Sequence, residues 1–318
     1  MFHSRGLKKL VFNFAKDPNI DEIIIISGYL GPSPIAELKK YCGGKNITIV
    51  YGMYGESGIS EVLHDKLVSL NSDTMKILYS NRPVHAKIYI GLFQSKIVLA
   101  EIGSANFSNN GLCNDFREVL IDAGSENFDA IERYYTEVKE KCILCSKIHD
   151  RNILKTSINN GDNLDNECAL SFLVDGKVPL ASGLNWGHGK GHVNLADAYI
   201  KIPKEEVDRH PRLFPPKKYL GKKKERNAIE LIWDDGTVMS GLMEGNGNKR
   251  KGLVFPKQLS SAGSKKIMGT YLRSRIGVAP NALVKTEDLL NYGRTDVKIS
   301  LVSEGVYYLD FSVKKDEK

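Results

Sequence analysis

Four polar residues with catalytic potential flank two apolar runs in the stretch VHAKIYIGLFQSKIVLAEIGSAN, residues 84–106. His85 and Lys87 stand two apart before the first run, and Ser104 and Asn106 stand two apart after the second. An imidazole is a nucleophile near neutral pH, whereas an ammonium, a hydroxyl and an amide can hold the non-bridging oxygens of a phosphate. These residue types therefore fit phosphoryl transfer through a histidine.

The two apolar runs predict a β-hairpin that turns at Gln94–Ser95. Counting back from this turn places His85 opposite Ser104, and directly opposed side chains lie about 5 Å apart on one face of a sheet. Since residues two apart in a strand also share a face, both polar pairs are expected to converge at one end of the hairpin. A β-bulge would shift this register.

A carboxylate that could orient the imidazole follows at Glu118, in a further apolar segment. It could accept a hydrogen bond from the second ring nitrogen, as the carboxylate does in other catalytic triads. Alternatively, Glu118 pairs with Arg117 or Lys96 at the surface. A single His-x-Lys pair or a single GSAN turn would carry little information, but their combination in this order indicates a site.

The segments around the hairpin predict an α/β domain. Helices and strands alternate, with helices predicted at 7–16, 34–42 and 59–70, and strands at 21–31, 46–55 and 75–80. A longer helix is predicted over 125–150, and its apolar stripe from Phe128 to Cys145 must face either a core or a partner chain. Cys142 and Cys145 lie on that stripe, so they are interpreted as core residues rather than zinc ligands.

The polar, Asn-rich segment 156–166 marks a domain boundary, with an α/β domain at 1–155 and a second domain at 167–318. After it, short apolar runs alternate with Gly, Pro and Asn clusters, which predicts a mostly β barrel or pseudobarrel. The length of 318 residues fits two domains, and no apolar run is long enough to span a membrane. Five cysteines without framework spacing favour a reducing cytoplasm.

The positive charge lies in the second half of the chain. Residues 1–150 carry 17 Lys and Arg against 18 Asp and Glu, whereas residues 151–318 carry 28 against 20. Such asymmetry indicates a polyanion partner, most commonly nucleic acid, although a basic surface also serves solubility alone.

Three segments of this half could contact double-stranded DNA. Two Gly-rich loops (183–194 and 240–254) carry residue types that read base edges, and the segment 212–226 carries lysines suited to phosphates. The first loop lacks the spacing of a nucleotide-phosphate loop, and His188 and His192 lack metal-ligand partners nearby in the sequence. The predicted DNA-binding residues are Asn185, Trp186, His188, Lys190, Asn246, Asn248, Lys249, Arg250, Lys251, Lys217, Lys218, Lys222, Lys223 and Lys224.

HAKIY, GSANFS and REV together resemble the phospholipase D superfamily, whose signature combines His-x-Lys with Gly-Ser-x-Asn. The usual Asp, five residues after the lysine, is Leu92 here. A branch of restriction endonucleases, the NgoFVII type, also does without it, and VYGMYG and GSANFSNNGL resemble that branch. In the second half, TYLRSRIGV and LLNYGRTDVKISL are similar to its B-three-like DNA-reading pseudobarrel, whose two arms grip the major groove. The resemblance covers most of the chain and is strongest at 84–118.

This resemblance implies that His85 attacks phosphorus, that Lys87, Ser104 and Asn106 bind the phosphate oxygens, and that Glu118 orients His85. No metal or other cofactor is required for this chemistry. Because the superfamily uses two copies of the motif and this chain has one, a homodimer through the N-terminal domain is expected, with the partner's His85 as general acid.

The sequence thus predicts a type II-like restriction endonuclease whose second domain selects the DNA site, with a helicase-like or methyltransferase protein as a candidate partner. A repair nuclease directed by DNA structure or damage is the nearest alternative. A lipid phosphodiesterase fits the basic half less well. A sequence-specific DNA-binding protein with an inactive nuclease fold would not need to keep the five catalytic residue types.

Overall fold

The computed structural model describes residues 1–115, 117–149, 166–192, 194–216, 228–245 and 253–313, together with the backbone of residues 153–154, 219–220, 223–224 and 248–250. The chain divides into two compact units. The first comprises Met1–Ile158 with the short segment Val302–Gly305, and the second comprises Asn159–Leu301 with Val306–Lys318. The predicted linker at 156–166 lies, apart from its last residue, outside the described residues.

The first unit alternates helices and strands up to the hairpin. Its strands are β1 (Phe2–His3), β2 (Glu22–Ser27), β3 (Asn46–Tyr51), β4 (Ile59–Ser60), β5 (Met75–Ser80), β6 (Ile88–Phe93), β7 (Lys96–Gly103), β8 (Leu120–Asp122), β9 (Cys142–Leu144) and β10 (Ile153–Leu154). Its helices are α1 (Leu7–Lys16), α2 (Pro32–Tyr41), α3 (Tyr54–Ser57), α4 (Glu61–Leu70), α5 (Asn109–Leu112) and α6 (Phe128–Glu140). The elements predicted before the hairpin are confirmed, with two strands shorter than expected.

Eight of these strands form one mixed sheet in the order β1-β8-β7-β6-β2-β3-β5-β9. Strands β2, β3 and β5 are parallel, and β6, β7 and β8 follow as an antiparallel meander beside β2. The run EIIIIS of β2 is buried along almost its whole length, as expected for a central strand covered on both faces. The predicted α/β architecture with a mixed sheet flanked by helices is confirmed.

Helix α6 packs on this sheet rather than facing a partner. Ile131 and Val138 are buried in one cluster with Ile24 and Ile90 of the central strands. The helix predicted over 125–150 ends at Glu140, because the next residues leave the helix and pair with β5 as the edge strand β9. The apolar stripe is therefore core-facing, and the alternative in which it forms the dimer interface is wrong.

The second unit is mostly β structure. Its strands are β11 (Glu167–Ser171), β12 (Ile200–Lys201), β13 (Tyr219–Leu220), β14 (Lys223–Lys224), β15 (Ala228–Trp233), β16 (Val238–Glu244), β17 (Asn248–Arg250), β18 (Leu253–Phe255), β19 (Gln258–Ser261), β20 (Asp296–Ser303) and β21 (Val306–Asp310). Its helices are α7 (Lys204–Arg209), α8 (Lys265–Arg275) and α9 (Thr286–Tyr292).

Seven of these strands form a strongly curved sheet in the order β11-β20-β21-β15-β16-β19-β12. The two edge strands, β11 and β12, approach each other without pairing, so the sheet is nearly closed. The alternating burial of β16 is that of a sheet with one face in the core, and Trp233 and Phe311 lie in the enclosed apolar cluster. The predicted mostly β pseudobarrel is confirmed. Within the described residues, no helix has the length and apolarity that crossing a membrane would require.

Candidate active site

Four strand ends meet at one edge of the first sheet. Because β2, β6, β7 and β8 are successive antiparallel neighbours, the end of β2 and of β7 and the start of β6 and of β8 lie at the same edge. The segments adjoining those ends carry Ser27–Tyr29, His85–Lys87, Ser104–Asn106 and Glu118. The topology therefore assembles residues that lie far apart in the sequence.

The predicted hairpin exists, but its register differs from the prediction. The turn lies at Gln94–Ser95, where both residues have positive φ, as a tight two-residue hairpin turn requires. A β-bulge beside Gly91 shifts every pair beyond it by one residue. The predicted opposition of His85 and Ser104 is therefore wrong, and both residues lie just outside the ladder, which begins at Ile88.

Gly28 lies where the candidate side chains converge. A methyl group added to Gly28 would lie 3.1 Å from His85 Cδ2, 3.1 Å from Lys87 Nζ and 3.4 Å from Asn106 Oδ1. These three side chains therefore surround one small volume, as a phosphate site requires. The prediction overlooked Gly28, although the Gly that follows the buried β2 run in SGYLG was a visible signal.

The amide of Asn106 has a defined orientation. Its Oδ1 accepts a hydrogen bond from the backbone N–H of Tyr29 at 3.1 Å and lies 3.3 Å from the Ser27 hydroxyl. Because a backbone N–H can only donate, the oxygen is the amide atom that must face Tyr29. The Nδ2 group is thereby left as a donor for a bound anion. Ser27, fully buried, also accepts from the Phe107 N–H at 2.9 Å, which fixes the backbone just after Asn106.

His85 is exposed, whereas the neighbouring Lys87 is buried with 5 % of its surface accessible. Burial lowers the pKa of Lys87, and the negative charge of Glu118 opposes this shift. Lys87 Nζ lies 3.0 Å from His85 Nδ1 and donates to the His85 carbonyl oxygen at 2.5 Å. An ammonium group has only donors, so in this arrangement Nδ1 is the acceptor.

Glu118 does not occupy its predicted position. It is half-buried and lies 3.7 Å from the Arg117 Nε, and the described part of the chain contains no hydrogen bond between Glu118 and His85. The prediction that it contacts the imidazole is therefore not met in this structure, and the alternative pairing with Arg117 is observed. Ser104 is exposed at the site edge, and its hydroxyl accepts from the Val119 N–H at 3.1 Å.

In the second unit, Asn185 is fully buried. Its Nδ2 donates to the carbonyl oxygens of Pro179 at 3.0 Å and Val284 at 2.8 Å, and its Oδ1 accepts from the Val284 N–H at 2.9 Å. Because both ends of the amide are bound to backbone inside the core, the side chain cannot read a base in this conformation. The prediction of a DNA contact for Asn185 is corrected to a structural role.

The other described residues of this loop remain accessible to different degrees. Lys190 is exposed, and His188 is half-buried with a buried Nε2 that has no hydrogen-bond partner in the described structure. The Trp186 ring packs against His192 at a centroid distance of 4.2 Å, with Lys265 Nζ 5.4 Å from the same ring. Trp186 is thus half-buried and held in an aromatic and cationic cluster.

Arg273, which the prediction did not single out, fixes both ends of this loop. Its guanidinium is fully buried and donates to the carbonyl oxygens of Leu184 at 2.8 Å, Ala196 at 3.2 Å and Leu195 at 3.4 Å. Burial lowers the pKa of Arg273. The remaining predicted DNA-binding residues lie outside the residues whose side chains are described, namely Asn246, Asn248, Lys249, Arg250, Lys251, Lys217, Lys218, Lys222, Lys223 and Lys224.

Each of the two units matches a protein-family model of its own. Residues 6–150 match the NgoFVII restriction endonuclease N-terminal PLD domain, and residues 157–303 match the NgoFVII C-terminal B3-like DNA-binding domain. The fold and site thus define a phospholipase D-like nuclease joined to a DNA-binding domain. The chain belongs to the NgoFVII family of restriction endonucleases, and it is a phosphodiesterase of the phospholipase D-like nuclease type.

Solved structures give a weaker likeness. NucT from Helicobacter pylori is 18 % identical over 44 % of this chain and 92 % of its own, with a TM-score of 0.31. Nuc from Salmonella typhimurium, a phospholipase D family member, is 15 % identical over 45 % and 93 %, with a TM-score of 0.33. Polyphosphate kinase from Porphyromonas gingivalis is 11 % identical over 45 % and 23 %, with a TM-score of 0.32. At these values the likeness adds nothing to the family match.

Gly28→Ala is expected to lower the rate of DNA cleavage by up to about 10-fold, because the contacts of an added methyl group would displace neighbouring side chains by a few tenths of an ångström, and a full 1 Å misplacement costs about 100-fold. The added methyl would crowd His85 and Lys87 at 3.1 Å and touch Asn106 at 3.4 Å, and these are the residues of the candidate phosphate site. The single-turnover cleavage rate of the variant is compared with that of the wild-type chain, and circular dichroism checks that the variant is folded. A folded variant with an unchanged rate would contradict the convergence at Gly28.

Proposed function

We propose that this chain is a type II-like restriction endonuclease that hydrolyses DNA through a phosphohistidine intermediate without a metal ion. The family match supports restriction nuclease activity. The single observation that carries the mechanism is the convergence of His85, Lys87 and Asn106 around Gly28. The exposed imidazole of His85 supplies a nucleophile, and the ammonium of Lys87 and the amide of Asn106 supply hydrogen-bond donors for an anion beside it.

In the proposed first step, His85 Nε2 attacks the phosphorus of the scissile diester and a P–N bond forms as the P–O bond to the leaving oxygen breaks. Lys87, Ser104 and Asn106 hold the non-bridging oxygens. In the second step, water attacks the phosphohistidine, the P–N bond breaks and His85 is regenerated. Two displacements replace one difficult hydrolysis, which is the advantage of covalent catalysis.

This mechanism needs the proton of neutral His85 on Nδ1. The observed contact with Lys87 has the opposite preference, because an acceptor Nδ1 leaves the proton on Nε2. We therefore expect a bound phosphate to draw the Lys87 ammonium away from the ring. Glu118, whose negative charge already acts on Lys87, would then accept the Nδ1–H.

A second acid must protonate the leaving oxygen, and the chain has one copy of the motif. We propose a homodimer through the first unit, in which His85 of the second copy supplies that proton. The buried α6 stripe is not available for this contact. Exposed apolar residues on adjacent strands offer a surface instead: Phe2 (62 %), Ile121 (45 %) and Ile102 (37 %) are register neighbours across β1, β8 and β7. Strands β7 and β8 adjoin Ser104 and Glu118, so this face borders the site.

The second unit is proposed to choose the cleavage site on double-stranded DNA. The match of this unit to a DNA-binding domain supports a role in DNA recognition. Lys190, which is exposed, and Trp186, which is half-buried, are retained as candidate contacts, and the lysines of 217–224 and the residues of 246–251 remain predictions. A methyltransferase that protects the host sites is the expected companion of such an enzyme, and a helicase-like partner is a further candidate. A reducing cytoplasm is proposed, in keeping with five free cysteines.

The test is incubation of the purified chain with plasmid DNA in excess EDTA, followed by sequencing of the ends. We expect discrete fragments whose ends lie at a fixed distance from one recurring sequence. Ends determined by DNA structure would indicate the repair nuclease instead, and binding without cutting would indicate an inactive DNA-binding protein. Cleavage that requires added Mg²⁺ would contradict the metal-free chemistry.

A further inference from the structure

Three side chains in the second unit have the donor types and spacing of a metal centre. Cys168 lies on β11, Glu206 lies on α7, and His210 follows α7 directly. One potential ligand atom from each lies within 4.8 Å of the other two. His210 Nε2 and Glu206 Oε2 are 3.2 Å apart, which is already close to the separation of two ligand atoms on one ion.

The cluster is enclosed. Cys168 and His210 are each 9 % exposed, and Glu206 is half-buried. Cys168 is a free thiol. The neighbouring carboxylate of Glu167 is already paired with Lys298 at 2.8 Å, and Arg209 binds the other Glu206 oxygen at 3.1 Å. His210 Nδ1 is buried without a hydrogen-bond partner in the described structure, so this histidine is not fully satisfied by the protein alone.

Thiolate, imidazole and carboxylate together favour Zn²⁺ over Mg²⁺ or Ca²⁺, which prefer oxygen ligands. Zinc bonds of about 2.0 to 2.3 Å in a tetrahedron place ligand atoms about 3.4 to 3.7 Å apart. The cluster therefore needs a contraction of about 1 Å at its widest separation, which side-chain rotation can supply. Three protein ligands leave the fourth position to water.

The position of this cluster in the fold indicates which part of the structure a bound ion would stabilise. Strands β11 and β12 are the two edges of the nearly closed sheet, and α7 begins shortly after β12. Cys168 therefore lies on one edge, whereas Glu206 and His210 follow the other. We propose that Cys168, Glu206 and His210 bind one Zn²⁺. The ion would link edge strand β11 of the DNA-binding barrel to the segment that follows the opposite edge strand, β12. Because metal binding stabilises only the folded state, the ion would stiffen the unit that selects the DNA site.

The test uses the full chain, first stripped of metal and then supplied with ZnSO4 alone. We expect one zinc per chain after gel filtration, measured by plasma mass spectrometry, and an increase in unfolding temperature of about 3 to 8 °C. Replacement by Co²⁺ is expected to give a near-ultraviolet thiolate-to-cobalt band. A stripped wild-type chain that takes up no zinc and shows no thermal shift would overturn the proposal.

Substitutions of the three residues test whether each of them is a zinc ligand. Cys168→Ser should remove the cobalt band and weaken zinc binding by more than about 100-fold, beyond the loss typical of changes outside the ligand set. Cys42→Ser, which alters a buried free cysteine of the first unit, should leave both unchanged. If Cys168→Ser fails to fold, Glu206→Gln and His210→Gln serve through the visible cobalt spectrum. An unchanged spectrum in folded variants would exclude these ligands.

One experiment distinguishes a failure of the zinc proposal from a failure of the proposed active-site chemistry. EDTA would remove the zinc while leaving the phosphohistidine chemistry of the first unit untouched. Hydrolysis of bis(p-nitrophenyl) phosphate, which offers no DNA site to read, should therefore continue in EDTA, while the unfolding temperature of the chain falls. Loss of the small-diester activity in EDTA would contradict the proposed function, and an unfolding temperature that EDTA leaves unchanged would contradict the zinc site.

Discussion

His85→Ala is expected to reduce DNA cleavage by about 10,000-fold or more, the loss typical of removing a catalytic nucleophile, while DNA binding remains intact. The imidazole is exposed at the meeting point of the strand ends, and no neighbouring side chain can replace it as the attacking atom in the proposed mechanism. Cleavage is measured under single-turnover conditions and binding by gel shift on the same DNA. A variant that still cuts at a substantial rate would remove His85 as nucleophile.

His149→Ala is the matched control, since His149 is an exposed histidine of the same unit outside the site, and its cleavage rate should not change. Mixing the inactive chain with the wild-type chain tests the shared site. If each cleavage event needs His85 from both copies, activity should fall with the square of the wild-type fraction after subunit exchange. A linear decrease would contradict the homodimer mechanism.

Asn106→Asp is expected to cost about 100- to 1,000-fold in cleavage rate, the loss typical of one oxyanion donor. The substitution keeps the size of the side chain and the acceptor that faces the Tyr29 N–H. It replaces the Nδ2 donor, however, with a carboxylate oxygen directed at the phosphate. Single-turnover cleavage measures the loss.

The chain offers a close control in Asn71, whose Oδ1 likewise accepts from a backbone N–H, that of Ile77 at 3.0 Å, away from the site residues. Asn71→Asp should leave the cleavage rate unchanged and alter stability only slightly. Equal losses in the two variants would mean that the effect at Asn106 is structural rather than electrostatic.

Local patterns predicted the secondary-structure elements well, but not the long-range contacts of the candidate site residues. Helix α1 was predicted at its observed bounds, because apolar spacing over 7–16 depends only on local sequence. The end of α6 could not be found in the same way. Cys142 and Cys145 continue the helical spacing, yet Cys142 pairs with Ser80 of β5 and so belongs to the sheet.

The candidate active-site side chains were selected from residue type and spacing, whereas their contacts depend on the tertiary structure. A single bulge moved the hairpin register, and the orientation of Asn106 depends on Tyr29, which lies 77 residues away. Asn185 illustrates the same difficulty in the second unit. A polar residue in a Gly-rich loop resembles a DNA contact in the sequence, but Val284, 99 residues further on, binds both ends of its amide.

The most direct measurement is to quench the reaction during turnover at alkaline pH, where phosphohistidine persists, and to locate the modification by mass spectrometry of the digested protein. The mechanism predicts DNA phosphate attached to His85, appearing and decaying at rates compatible with turnover and missing from the His85→Ala chain. Turnover without any covalent species, or with phosphate on a different residue, would contradict it.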